Sequence, residues 1–201
     1  MSTLPDRLRP ALWPLLLTVA VLLGLAALQA LLAPRLHSLA QEQDLAPLRG
    51  VAGGLAFDND PLAEARVLTD ARLGPGIQHV YPLRWRGALR AVVVTATATG
   101  GYGGPVELLL GIDAQGRLLG VRVRSHRETP GLGDAYVGPG SDWLHALQGL
   151  SLRDPPAPRW RLRRDGGDFD HITGATVTPR ALLDAIRRVL EWHAAEFPPP
   201  G

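Results

Sequence analysis

The sequence predicts an α+β chain: a single N-terminal transmembrane helix, then a domain in which an antiparallel sheet is flanked by helices. Three observations carry that expectation. Residues 11–33 hold no charged side chain. Between Ile77 and Arg124, β-branched runs are separated by glycine-bearing turns. After Thr178, apolar residues recur at helical spacing. The 201 residues, 46% of them hydrophobic, suffice for one domain with a core plus an appendage.

Composition removes several function classes. With no cysteine, the chain has no disulfide, thiol nucleophile, iron–sulfur ligation or cysteine-based zinc site. All 21 basic residues are arginine and are interspersed with Asp and Glu. No basic block or aromatic-basic stripe appears, so no nucleic-acid partner is expected.

Ala11 to Ala33 has the length of a bilayer-spanning helix, about 20 residues or more. A cleavable signal peptide, with small residues near Ala30, Ser38 and Ala40, is the competing reading. Its apolar part runs to only about 7–15 residues, which favours a retained anchor. Arg7 and Arg9 before the span and Arg35 after it point to a cytoplasmic N-terminus over 1–10. Residues 34–75 read as a helical connector, with Leu36, Leu39, Ala40 and Leu45 on a partial apolar face and an interruption at Gly50 to Gly54. Asp60 and Pro61 look like the N-cap and first residue of a short helix through Val67 or Leu68.

Ile77 to Arg86 and Ala88 to Ala98 read as strands joined at Gly87. Gly100 to Pro105 reads as a flexible break; no helix follows it, which rules out a dinucleotide-binding loop. Val106 to Ile112 and Leu118 to Arg124 make the clearest hairpin, turning at Asp113 to Arg117. On its second strand Leu119, Val121 and Val123 alternate with Gly120, Arg122 and Arg124, giving one buried and one solvated face.

His126 to Gly133 is a loop stiffened by Pro130, where Gly131 and Gly133 permit close backbone approach to a flat ligand or simply make a turn. Ser125 beside His126 is no hydrolase pair, since neighbouring strand residues face opposite ways. Ser141 caps a short helix through Leu147, and Trp160 to Arg163 reads as a returning strand. The carboxylates of Asp165 to Asp170 lack EF-hand spacing, so no metal site is expected. Thr178 as N-cap and Pro179 as first residue start a helix whose Leu182, Ile186, Val189, Leu190 and His193 share one face. Thr176, behind Gly174 and Ala175, sits just before that helix, where amide donors favour a phosphate or where threonines merely cap. The tail 196–201 is proline-rich and expected to be disordered.

Asp170-x-x-Thr173-Gly174-Ala175-Thr176 resembles the flavinylation motif of the FMN-binding domain shared by the G subunit of the Rnf/Rsx-type ion-translocating electron transport complex and the C subunit of the sodium-translocating NADH:quinone reductase. Gly103 to Glu107, Gly111 to Asp113, His126 to Asp134 and Asp165 to Asp170 are similar to the Rnf-type family in the same order. The resemblance implies an FMN-binding domain over 76–195 on the periplasmic side of a bacterial inner membrane. It implies FMN joined through its phosphate to Thr176, with Asp170, Thr173, Gly174 and Ala175 as the attachment motif. Glu128, Thr129, Leu132 and Gly133 become candidate flavin contacts, and no residue is expected to act as an acid–base catalyst. The implied function is electron carriage within a complex that couples it to ion translocation, with other subunits, a flavin transferase and membrane lipid as partners. The C subunit of the quinone reductase and a non-redox membrane-tethered periplasmic binding or scaffold module are the alternatives.

Overall fold

The computed structural model describes residues 9–131, 133–138, 140–172 and 174–198. Its backbone divides into two compact units, 1–44 and 45–201. The described residues of the first unit are helical. Helix α1 (Arg9–Val51) is continuous through Pro34, so the expected span runs on into the first part of the expected connector, while residues 52–75 of that connector are not helical. Trp13, Leu17, Leu22, Leu23 and Leu31 on it are exposed. Among the described residues no helix meets the combined length and apolarity expected of a membrane span.

The second unit is built on five antiparallel strands in sequential order: β1 (Arg66–Leu68), β2 (Gln78–Trp85), β3 (Ala88–Gly101), β4 (Gly104–Asp113) and β5 (Leu118–Ser125). Successive strands joined by short turns pair as neighbours, which is why the order follows the chain. Strand β1 replaces the short helix expected over 60–68. The Asp60 carboxylate does accept from the Leu62 and Ala63 amides, but this holds one turn only, and Arg66 to Leu68 then pair with β2. The expected break at Gly100 to Pro105 is a hairpin: Gly101 pairs with Gly104, and only Tyr102 and Gly103 lie between the strands. Glycine clusters at strand ends mark tight turns as readily as loose ones.

Both faces of the sheet centre are buried. On one face Val92, Val94, Leu108, Leu110 and Ile112 pack with helix α4 (Val177–Glu196). On the other, Ala91, Val93 and Leu109 pack with Leu48 and Val51 of the last turns of α1. Gly111 makes that second contact possible, because a β-carbon there would collide with the Val51 carbonyl oxygen. Only β5, at the sheet edge, keeps the alternation read from sequence, with Arg122 and Arg124 exposed beside partly buried Val121 and Val123. Leu119 does not share their face. A register shift between Gly111 and Ile112 lets Ile112 pair with Leu118, and Leu119 turns to the α1 side.

Beyond β5 the chain forms two one-turn helices, α2 (Asp134–Val137) and α3 (Asp142–His145). Ser141 caps the second by accepting from the Leu144 amide, as expected, but the helix stops short of Leu147. Trp160 to Arg163 forms no strand. A 3-10 turn on either side (Ala157–Arg159, Arg163–Asp165) leaves one bridge, Leu162 to Phe169. Helix α4 carries Leu182, Ile186, Val189, Leu190 and His193 on its buried face, all at most 2% exposed.

Candidate functional site

Helix α4 starts at Val177, not after Thr178. The shift follows from where the side chains go. Thr178 is buried and its hydroxyl donates to Glu128 Oε2 at 2.8 Å, so it is no N-cap. Pro179 falls in the third helical position, still within the first turn, where its missing N–H costs nothing. Thr176 takes the cap position with φ −111° and ψ −15°, and its side chain makes no capping hydrogen bond. A capping threonine would bond the second- or third-position amide, and the third is Pro179, which has none. The Thr176 hydroxyl is therefore left for other chemistry, half-buried at the positive end of a 20-residue helix.

A cavity of about 270 Å3 opens beside it. Glu128, Thr129 and Gly133 line one wall, Gly174, Ala175 and Thr176 the other, and Tyr102, Val177 and Thr178 complete it. Six of the nine site residues taken from the sequence thus meet at one cavity, although the two groups are far apart in the chain. Leu132 and Thr173 lie outside the described residues. Asp170 does not line this cavity: its exposed carboxylate pairs with Arg163 at 3.1 Å, and its carbonyl accepts from Trp143 Nε1 at 2.9 Å.

Glu128 ties the walls together. It is 7% exposed; Oε1 accepts from the Gly103 amide at 3.2 Å and Oε2 from Thr178. One carboxylate so joins the β3–β4 turn, the loop after β5 and the first turn of α4. Gly133 is required beside it, since a β-carbon at that position would fall inside contact distance of Oε2. Across the cavity Gly174 has φ 86°, the left-handed region that glycine alone adopts without strain. This turns the chain so that the Ala175 amide reaches the Ile172 carbonyl at 3.0 Å.

The loop carrying Gly174 is pinned by Tyr136. Its hydroxyl donates to the Ala175 carbonyl at 2.9 Å and accepts from the Ile172 amide. Burial pushes the phenol above its ordinary pKa, and the bond from Ile172 partly offsets this. Trp143 packs edge-on against the Tyr136 ring at 5.2 Å. Behind Thr176 the Arg180 guanidinium forms a two-bond pair with Asp165 and holds that carboxyl below the usual carboxylate range.

Sequence reasoning does not mark Tyr102 or Tyr136 as site residues, and it gives Thr178 only as a helix cap and as the next attachment candidate after Thr176. Tyr102 sits among glycines that read as a break. Thr178 carries a helix-cap signal, and a buried acceptor 50 residues upstream has no local signature. For Tyr136 no signal was available, because its bonds cross 36 and 39 residues.

The site fits a ligand with a flat ring system and a phosphate. The cavity is lined by glycines, small side chains, Tyr102 and Glu128, and Thr176, whose hydroxyl makes no capping bond, brings a helix N-terminus to it. Comparison with known proteins points the same way. A family model described as FMN-binding domain matches residues 101–191. The G subunit of the ion-translocating oxidoreductase complex of Stutzerimonas stutzeri is 44% identical over 181 residues, covering 90% of this chain and 76% of that protein. Its counterpart in Cereibacter sphaeroides is 44% identical over 162 residues, covering 79% and 73%. That of Pseudomonas aeruginosa is 45% identical over 143 residues, covering 70% and 66%.

Proposed function

Since the chain belongs to the family of G subunits of ion-translocating oxidoreductase complexes, and so is a flavin electron-carrier subunit, we propose that its FMN is held covalently, through the phosphate, on Thr176. The observation that carries this reading is the Thr176 hydroxyl: it makes no capping bond, its contact from Arg180 Nη1 is long at 3.5 Å, and its residue lines the cavity shared by Glu128, Thr129, Gly133, Gly174 and Ala175. Bound FMN supplies the electron-accepting and electron-donating chemistry. The protein supplies the rest. Thr176 fixes the phosphate end, the glycines let backbone lie close to the ring system, and Tyr102 lines the cavity with an exposed ring. Glu128 joins the walls through the bonds it accepts from Gly103 and Thr178. Asp170, exposed and outside the cavity, suits recognition by the flavin transferase rather than contact with the ring. Leu132 and Thr173 complete the loop and the motif.

The uncharged run Ala11 to Ala33, with its exposed Leu17, Leu22, Leu23 and Leu31, supports α1 as a single-pass inner-membrane anchor, with lipid as its partner. Arginines before the run support a cytoplasmic N-terminus and a flavin domain on the periplasmic side. The other subunits of the complex are then the electron donor and acceptor.

Intact mass and in-gel flavin fluorescence on denatured protein, co-expressed with a flavin transferase, test the attachment. The wild type should gain the mass of FMN less water on the peptide containing Thr176, and Thr176→Ala should gain none while keeping its fold. An adduct retained in Thr176→Ala sinks the assignment. Thr178 is a poor substitute, buried and already bonded to Glu128.

A further inference from the structure

Arg180 stands one helical turn beyond Thr176, so the two side chains share a face of α4. Its pairing with Asp165 is side-on: Nε donates to Oδ2 at 2.6 Å and Nη2 to Oδ1 at 2.8 Å. A guanidinium has five N–H donors. This arrangement engages two and leaves both hydrogens of Nη1 and the outer one of Nη2 turned away from Asp165. Nη1 lies 3.5 Å from Thr176 Oγ1, at the outer limit of a hydrogen bond. A phosphorus bonded to Oγ1 would carry its free oxygens further out and within reach of that open fork.

We infer that Arg180, braced by Asp165, is the positioning residue that neutralises a phosphodiester on Thr176 and clamps it by the Nη1–Nη2 fork. The inference rests on the Thr176 attachment reading. Two features favour an anion here over an empty surface ion pair. The helix N-terminus adds its own positive end, and a second guanidinium, that of Arg164, acts on Asp165 electrostatically along with Arg180. Asp165 fixes the orientation of the guanidinium, which a planar fork needs in order to grip a phosphate with two bonds. Asp165 belongs to the carboxylate-rich run before the attachment motif, which the sequence alone leaves as a turn.

The test compares loaded and unloaded full-length protein in wild type, Arg180→Lys, Arg180→Gln and Asp165→Asn. Intact mass gives the extent of loading. The rise in Tm on loading and the anisotropy of flavin fluorescence report how firmly the phosphate end is held. The expected ranking is a full Tm rise in wild type and a reduced one in Arg180→Lys and Asp165→Asn. In Arg180→Gln, loading should give no rise and a lowered anisotropy. Failure of Arg180→Gln to load while Arg180→Lys loads also supports the charge requirement, provided that unloaded Arg180→Gln melts like unloaded wild type. Equal Tm rises and equal anisotropies in wild type and Arg180→Gln overturn the inference. No added mass on wild type, with the transferase active on another substrate, overturns the Thr176 reading instead.

Discussion

His193 gives the fold a pH limit that can be worked out from its surroundings. It lies on the inner face of α4 at 1% exposure, with the Phe197 ring centred 5.4 Å away. Neither ring nitrogen has a hydrogen-bond partner among the described residues. Burial pushes its pKa down to about 4, with Asp113 pulling weakly the other way. In the unfolded chain the ring titrates near its ordinary value, about 6.5. Above that pH both states are neutral and the residue adds no pH dependence. Between about 6.5 and 4 the unfolded chain takes up a proton that the folded chain refuses, so stability falls as the pH falls. Below about 4 both states are protonated and the loss stops growing. A gap of about 2.5 units corresponds to about 3 kcal/mol, a large share of a typical domain's stability. The paired carboxyls Asp70, Asp165 and Asp168 sit below their ordinary value because of their arginine hydrogen bonds. Their contributions are therefore lost only at lower pH, outside this window. Guanidinium denaturation of the full chain in detergent, followed by tryptophan fluorescence from about pH 8 to 4, should show the decline in wild type. In His193→Leu the slope between about pH 6.5 and 4 should disappear. An unchanged slope in that variant, or a His193 ring that titrates near its ordinary value of about 6.5 by NMR, refutes the reasoning.

Two further outcomes follow from the site. Glu128→Ala removes the acceptor of two donors, the Gly103 amide and the Thr178 hydroxyl. It should cost about 1–3 kcal/mol for each donor left unpaired, while Thr178→Val, which removes only one bond, should cost less in the same denaturation assay. Tyr136→Phe deletes both bonds that pin the Ile172–Ala175 turn and should lower stability by about 1–2 kcal/mol. It should also speed amide exchange at Ile172, and exchange unchanged there would show that the turn is held by its neighbours instead.

The sequence was most legible where physics acts locally. The hairpin of β4 and β5 is legible from apolar runs on either side of the Asp113 to Arg117 turn, and α4 from apolar residues at helical spacing. Errors arose where distant partners decided the outcome. Asp60 and Pro61 carry a true helix-start signal, yet the backbone of Arg66 to Leu68 gains more by pairing with β2. Thr178 has the composition of a cap, yet its hydroxyl is claimed by Glu128. Leu119 fits the alternation of β5, yet a register shift turns it over. At the cavity, family motifs marked both walls, while the residues that join and pin them, Tyr136 and Thr178, act only through long-range contacts.

The Glu128–Thr178 bond also fixes when the site can exist. The loop after β5 supplies one wall, but the opposite wall and the hydroxyl of Thr176 come with the start of α4, some 50 residues further along the chain. Until that helix docks, the Glu128 carboxylate lacks the Thr178 donor, and the sheet face that α4 covers is open to solvent. The cavity is consequently a product of folding, formed only once α4 has docked on the sheet. A nascent chain stalled before Gly174 would present neither Thr176 nor the cavity that it lines.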